Sequence, residues 1–470
     1  MLYKLFQQLV DVALYIFLTY SFIIILFYFT IFIVSALYLK RRISLNDAVI
    51  YEDVLTSVNT RPLSIIVPAY NEEVGVVNSV KSLLSLNYPQ FEIIVVNDGS
   101  KDQTLDMIIQ QFQMEPVPLF IRKRLDTQQI QAIYKSRIYD HLFLIDKLNG
   151  GKADALNAGI NMSQYPYFCS IDGDSILERD SLLKVMKPII DSNDEVVVTG
   201  GSVRIANDCT IERGEVMQIT LSKRPLVIMQ IIEYLRAFLI GRIGMSRFNL
   251  LLIVSGAFGV FNKEYVIKAG GYRVNTVGED MELVVRLHRY LKEHKEDKRI
   301  EYIPDSVCWT EAPESLKVLR RQRSRWHRGL FESLSLHKRM LLNPKYGSIG
   351  IVSMPYFFFV ELLAPVIELL GYFVVVFGTL FDMIHITVTL LLFTLMLFIG
   401  SFLSMSAVLL EEWSLRRYPK VRDMFYLFIY ALSESFWYRP MTVFWRIEGL
   451  VQVARKQTAW GEMTRKGISS

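Results

Sequence analysis

The sequence predicts an α/β domain inserted between transmembrane α-helices. Three observations carry this reading. Short apolar runs ended by polar turns alternate with helical patterns between residues 60 and 330. Long apolar stretches flank that region on both sides. Three strand-like runs end in an acidic residue or a polar turn, where a mostly parallel sheet places its ligands. Composition agrees: the 470 residues are 51% hydrophobic and 21% charged, with mean hydropathy +0.28. That is too apolar for an ordinary soluble enzyme and too charged for a chain that is mostly membrane. The length accommodates one large soluble domain and several spans.

Residues 12–39 carry no charge and exceed the roughly 20 residues needed to cross a bilayer core. A cleaved signal peptide has a shorter apolar core, about 7–15 residues. Lys40-Arg41-Arg42 follow at once, which places the next domain in the cytoplasm by the positive-inside rule. Two further spans are expected near 348–378 and 385–410, followed by Arg416, Arg417, Lys420 and Arg422. The apolar segment at 424–451 is interrupted by Arg439-Pro440 and contains Glu434 and Glu448. Positive charge at both its ends favours an interfacial helix or a re-entrant hairpin. The organisation is thus an N-terminal anchor (1–42), a soluble domain with an interfacial helix (60–335), membrane helices (345–412), broken transmembrane or interfacial helices (423–455) and a cytoplasmic tail (456–470). The net charge of +5 does not suggest nucleic acid, and the basic residues flank membrane segments, where they meet anionic lipid. Cys169, Cys209 and Cys308 show no metal-binding spacing and are expected as reduced thiols.

Within the soluble domain, 63–67, 91–96, 167–171 and 196–198 read as buried strands. Helical patterns occupy 74–86, 182–190 and 281–290. The turns between them carry the chemistry. Asp98 ends the second strand in Asn97-Asp98-Gly99-Ser100. Gly150-Gly151-Lys152 opens a helix whose N–H groups favour anions, with Lys152 placed to meet a diphosphate. Asp172-Gly173-Asp174 follows a buried strand. Its hard carboxylate oxygens suit Mg2+ or Mn2+, and Gly173 permits close backbone approach. Gly278-Glu279-Asp280 precedes a helix and offers a carboxylate pair for proton transfer. Gln322, Arg325 and Trp326 share one helical face at i, i+3 and i+4. Phe258 lies in a small-residue turn and suits either a sugar face or the core. Glu361 and Glu368, seven residues apart on one face of an expected span, are costly in lipid and line either a channel or a helix–helix contact.

These motifs, in this order, resemble the nucleotide-diphospho-sugar (GT-A) domain of family-2 glycosyltransferases. The resemblance is to the membrane-integrated branch that makes cellulose, chitin, hyaluronan and poly-N-acetylglucosamine. It covers about residues 60–335 well and the membrane parts by layout only. It implies that Ala69, Tyr70 and Glu72 in Pro68-Ala69-Tyr70-Asn71-Glu72 cup the uracil and that Asp98 holds the uridine. It also implies that Asp172 and Gly173 meet the nucleotide sugar and that Asp174 with Asp172 holds the metal. Asp280 becomes the general base beside Glu279, in a motif where many members have Thr-Glu-Asp and this chain has Gly278. That exchange predicts a looser loop. Trp326 and Gln322 take the acceptor, beside the loop that carries Phe258, and Arg325 faces the diphosphate. Trp460-Gly461-Glu462-Met463-Thr464-Arg465-Lys466-Gly467 partly resembles the family's gating segment, which implies that Arg465 or Lys466 closes over the diphosphate.

The expected activity is inverting, metal-dependent transfer from a UDP-sugar, N-acetylglucosamine or glucose, to a growing β-linked glycan. The expected partners are the donor, the glycan acceptor, the lipid bilayer and an accessory export or regulatory subunit. The expected location is the cell membrane, multi-pass, with the catalytic domain cytoplasmic. Two rival readings are transfer to a polyprenyl-phosphate lipid and an inactive nucleotide-binding transporter or scaffold.

Overall fold

The computed structural model describes residues 2–44, 60–212, 215–381, 385–414, 418 and 420–455. The chain opens with a 43-residue helix, Leu2–Ser44, free of glycine and proline. Among the described residues its Tyr15–Arg41 portion is the one single helix long and apolar enough to cross a membrane. Ser35 donates to the carbonyl of Ile240 at 2.8 Å, and Ile31 packs where a Cβ on Gly244 would stand. This helix therefore docks on residues 240–244, while Phe22, Ile23 and Leu26 remain exposed as an apolar stripe.

The soluble domain is built on ten of twelve strands: β1 (Leu63–Ala69), β2 (Phe91–Asp98), β3 (Met114–Pro116), β4 (Ile130–Ser136), β5 (Leu142–Lys147), β6 (Tyr167–Ile171), β7 (Ile176–Leu177), β8 (Val196–Ile205), β9 (Thr210–Glu212), β10 (Glu215–Gln218), β11 (Phe258–Asn262) and β12 (Arg299–Thr310). The order is β3-β4-β5-β2-β1-β6-β11-β8-β12-β7, and β9 and β10 form a separate hairpin. The four expected strands are present. Their apolar runs bury both faces, as parallel strands under helices must. Ile65, Ile66 and Val67 are fully buried, each worth about 1.5–3 kcal/mol.

The sheet is mixed rather than mostly parallel. β5, β2, β1 and β6 are mutually parallel, as are β8 and β12. Between these two groups β11 runs antiparallel to both neighbours, with Val260 opposite Cys169 on one side and Thr199 on the other. The parallel centre matters for function, because β2, β1 and β6 all deliver their carboxyl ends to one edge. The three cysteines are free thiols, Cys169 and Cys308 buried.

Beyond the sheet, Leu316–Leu336 forms a 21-residue helix. The 348–378 segment is bent: Ile349–Leu362 and Ala364–Leu380 meet at 43° and are long and apolar enough to cross a membrane only together. Pro365 sits in the first turn of the second piece, where a missing N–H costs nothing. Ile386–Ser414 is a 29-residue helix. The 424–451 segment forms two helices, Val421–Ser433 and Tyr438–Ala454, with Pro440 in the first turn of the latter. The last helix lies along Leu316–Leu336. Ser324 donates to the carbonyl of Trp445 at 2.8 Å, Arg320 pairs with Glu448 at 2.7 Å, and a Cβ on Gly449 would stand 2.5 Å from the carbonyl oxygen of Ser324.

Candidate active site

The ends of β1, β2 and β6 lie side by side, so their turns converge. Asp172 and Asp174 leave β6, and Lys152 reaches Asp172 at 2.5 Å from the first residue of the Lys152–Met162 helix. Lys152 also donates to the carbonyl of Gly256 at 3.2 Å and lies 3.8 Å from Glu279. The amide of the same Gly256 donates to Asp280 at 3.1 Å. One residue, Gly256, thus ties the lysine that meets Asp172 to the candidate base.

Asp280 is oriented on both oxygens. Oδ2 accepts from Gly256 and Oδ1 from the amide of Met281 at 2.8 Å. It stands in the first turn of the Glu279–Glu293 helix with Glu279 and Glu282, where the helix dipole favours negative charge. The two glutamates diverge electrostatically. Burial pushes the carboxyl of Glu279 up to about 7, with Lys152 opposing and Asp280 adding to the rise. Burial acts on Glu282 as well, yet hydrogen bonds from His337 and Arg286 outweigh it and hold the group down to about 2. Burial works against the charge of Lys152, but Asp172 and Glu279 make it a stronger base than usual.

The loop at Gly278 is packed rather than loose, contrary to the expectation from the missing threonine. A Cβ at Gly278 would stand 3.0 Å from backbone atoms of Gly329, and a Cβ at Gly329 would meet Gly278 at 2.9 Å. The helix bearing Gln322, Arg325 and Trp326 approaches the base loop backbone to backbone, and side chains would hold them apart. Glu332 of that helix accepts from Val277 at 2.9 Å and Thr276 at 3.1 Å, fixing the same junction.

A cavity of about 1140 Å³ joins these parts. Lys152, Asp172, Asp174, Glu279, Asp280, Gln322, Arg325 and Trp326 all line it. The cavity continues past Glu233 and Tyr234 to Glu361, Glu368, Glu434 and Arg439 of the later helices. The 43° bend separates Glu361 from Glu368, so they do not share one straight helical face, yet both border the cavity.

The remaining sequence-selected residues lie elsewhere. Ala69 is buried at the end of β1 and Tyr70 is exposed beyond it. The amide of Glu72 donates to Thr104 at 2.8 Å. Asp98 is buried and accepts from the amides of Gly150 at 3.0 Å and Gly151 at 2.7 Å, and it pairs with buried Lys147. It organises the glycine turn ahead of Lys152. None of these four borders the cavity. Phe258 is in the core: it is fully buried, and its ring occupies the space where a Cβ on Gly201 would stand. It therefore offers no face to a sugar. Arg465 lies outside the described residues. Sequence reasoning missed Lys147, which ends an apolar strand with no flanking signal, and Arg323, which hides inside the motif it serves.

Asp172 and Asp174 fit a divalent cation by donor chemistry. Among the described residues no group of three or more His, Cys, Asp or Glu side chains is arranged to enclose an ion. Two carboxylates alone leave positions for substrate phosphate and water, the way Mg2+ is usually held. Gly173 keeps this turn against β1, since a Cβ there would press on the carbonyl of Pro68 at 3.0 Å.

Comparisons with known proteins identify the family. Residues 64–268 match the family described as Glycosyl transferase family 2, and residues 167–410 match Glycosyl transferase family group 2. The poly-beta-1,6-N-acetyl-D-glucosamine synthase of Staphylococcus epidermidis is 30% identical over 274 residues, 58% of this chain and 55% of that protein. The protein of the same name from Staphylococcus aureus strain COL is 30% identical over 275 residues, again 58% and 55%. The aligned part thus spans about half the length of these relatives. Among solved structures, the mannosyltransferase PcManGT from Pyrobaculum calidifontis, in complex with GDP-Man and Mn2+, matches 86% of this chain and 98% of its own with TM-score 0.51. At 17% identity that likeness concerns the fold alone. With a family match over more than half its length, this chain belongs to the family-2 glycosyltransferases.

Proposed function

We infer that the protein extends a β-linked polysaccharide by inverting, metal-dependent transfer from a UDP-sugar, and passes the product through the same cavity toward the membrane. UDP-N-acetylglucosamine is the preferred donor, supported by the names of the staphylococcal relatives. The observation that carries the reading is the continuity of the cavity from Asp280 to Glu368 and Arg439. A one-sugar transferase has no need of a passage lined by residues 434–446.

In this reading Asp280 takes the proton from the acceptor hydroxyl, held in one orientation by the amides of Gly256 and Met281. Lys152 and Arg325 approach the diphosphate, and Trp326 with Gln322 takes the terminal sugar of the acceptor. Asp172 and Asp174 would hold Mg2+ or Mn2+, which neutralises charge on the departing diphosphate. Raised toward neutral, Glu279 remains partly protonated beside the base and limits the negative charge around it. The reading also takes the protein as a multi-pass membrane protein with this domain on the cytoplasmic side, supported by the apolar Tyr15–Arg41 helix and the basic run Lys40-Arg41-Arg42 at its end.

The test is UDP release from purified membranes supplied with a panel of UDP-sugars, with the product sized afterwards. N-acetylglucosamine polymer is expected, abolished by a chelator and restored by Mn2+ or Mg2+. A lipid-extractable product of one sugar would overturn the polymer reading. Absence of UDP release with every donor would overturn the enzyme.

A further inference from the structure

The spacing Gln322-x-x-Arg325-Trp326 leaves Arg323 blank, yet Arg323 touches two of the three motif side chains. Its guanidinium lies over the ring of Trp326 at 4.3 Å, and its Nη1 donates to Oε1 of Gln322 at 3.0 Å. Its Nη2 donates to Oε2 of Glu233 at 2.6 Å. Tyr438 donates to that same carboxylate oxygen at 2.8 Å. Arg323 and Tyr438 are buried, whereas Trp326 is 44% exposed and borders the cavity. Glu233 comes from the Pro225–Leu235 helix and Tyr438 opens the last helix, so three separate elements meet at one guanidinium.

We propose that Arg323 is the positioning residue for the acceptor, its planar fork setting Trp326 and Gln322 against Asp280 while Glu233 and Tyr438 hold the fork still. A planar cation can stack on a ring face while its edge serves two acceptors in fixed directions, whereas an ammonium has neither the plane nor the rigid fork. Trp326 and Gln322 thereby become a preformed plate instead of two independent rotamers, and the acceptor stays in line with the base. The proposal rests on the reading of Trp326 as an acceptor platform.

The experiment uses the full chain in lipid nanodiscs. UDP release is followed against UDP-N-acetylglucosamine and, separately, against a short β-linked N-acetylglucosamine oligomer, with UDP affinity measured alongside. Arg323→Gln is expected to raise acceptor KM about tenfold, and donor KM and UDP affinity change less than about twofold. Arg323→Lys recovers only part of the loss, because it restores charge without the fork. Trp326→Ala shows the same acceptor defect, and the double variant adds nothing to it. A multiplicative double variant, or an Arg323→Gln enzyme with normal acceptor KM beside a defective Trp326→Ala, overturns the positioning role alone. Normal acceptor KM in Trp326→Ala overturns the platform reading beneath it. Where Arg323→Gln no longer binds UDP, Tyr438→Phe decides: about a threefold rise in acceptor KM supports the role, and no change overturns it.

Discussion

The two ends of the cavity solve opposite electrostatic problems. At the sheet end, Asp172, Asp174, Glu279 and Asp280 outnumber Lys152, Arg242 and Arg325 among the lining residues. At the far end each carboxylate meets an arginine: Glu434 with Arg236 at 2.9 Å, Glu368 with Arg439 at 2.8 Å and Glu361 with Arg446 at 3.5 Å. In the proposed reading the first end is completed by what it binds, a cation and a diphosphate. The second is balanced by itself, which suits an uncharged, hydroxyl-rich chain that must pass without being held. In that reading, reaction and passage share one space and differ in whether the protein supplies the countercharge.

The largest effect that sharpens this contrast is at the base. Asp280→Asn should lower UDP release about 10³-fold and leave UDP affinity unchanged, as read by turnover and by nucleotide titration. Retained turnover would remove Asp280 from the reacting end. Next comes the anchor of the catalytic helix. The value of Glu282 in the folded chain, about 2, lies below its ordinary 4.5. Its contribution is therefore complete above about pH 4.5 and is lost as pH falls toward 2, about 3 kcal/mol in all. Glu282→Gln should flatten that acid limb in pH-dependent thermal unfolding, and an unchanged limb would assign it to other groups.

At the passage end, Arg236→Met or Glu434→Met alone should destabilise by about 2 kcal/mol, and the pair together by less than either. Additive losses in the double-mutant cycle would show that the charges act separately and would break the idea of a self-balanced end. The smallest effect concerns Gly278. Restoring the family's threonine there should cost about 1–2 kcal/mol through the clash with Gly329, seen as a lowered midpoint. A stabilised protein would mean that the loop is loose after all.

Much of the sheet end was legible. β1, β2 and β6 are uninterrupted apolar runs with polar turns, and the local pattern already contains their burial. Asp172, Asp174, Glu279 and Asp280 were legible for the same reason, since each lies within a few residues of a strand end or a helix start. Phe258 was not: a phenylalanine after small residues reads alike on a sugar or in a core, and only its contact with Gly201 separates the two. β11 gave no sign that it would run antiparallel between β6 and β8, because strand direction depends on connections well outside the strand. Gly278 was misread as slack, since a missing side chain in sequence carries no record of the backbone that fills its place.

By itself, the sequence determined the apolar periods, the uncharged stretches and the chemistry of each turn, because these depend on neighbours along the chain. Only the tertiary structure decided the pairings: Arg323 with Glu233, Gly278 with Gly329, and each arginine of the passage with its carboxylate. Their partners are tens to hundreds of residues apart. Coulomb attraction and close packing act through space, so the motif's blank position acquires its role only once the last helix lies along the helix that bears it.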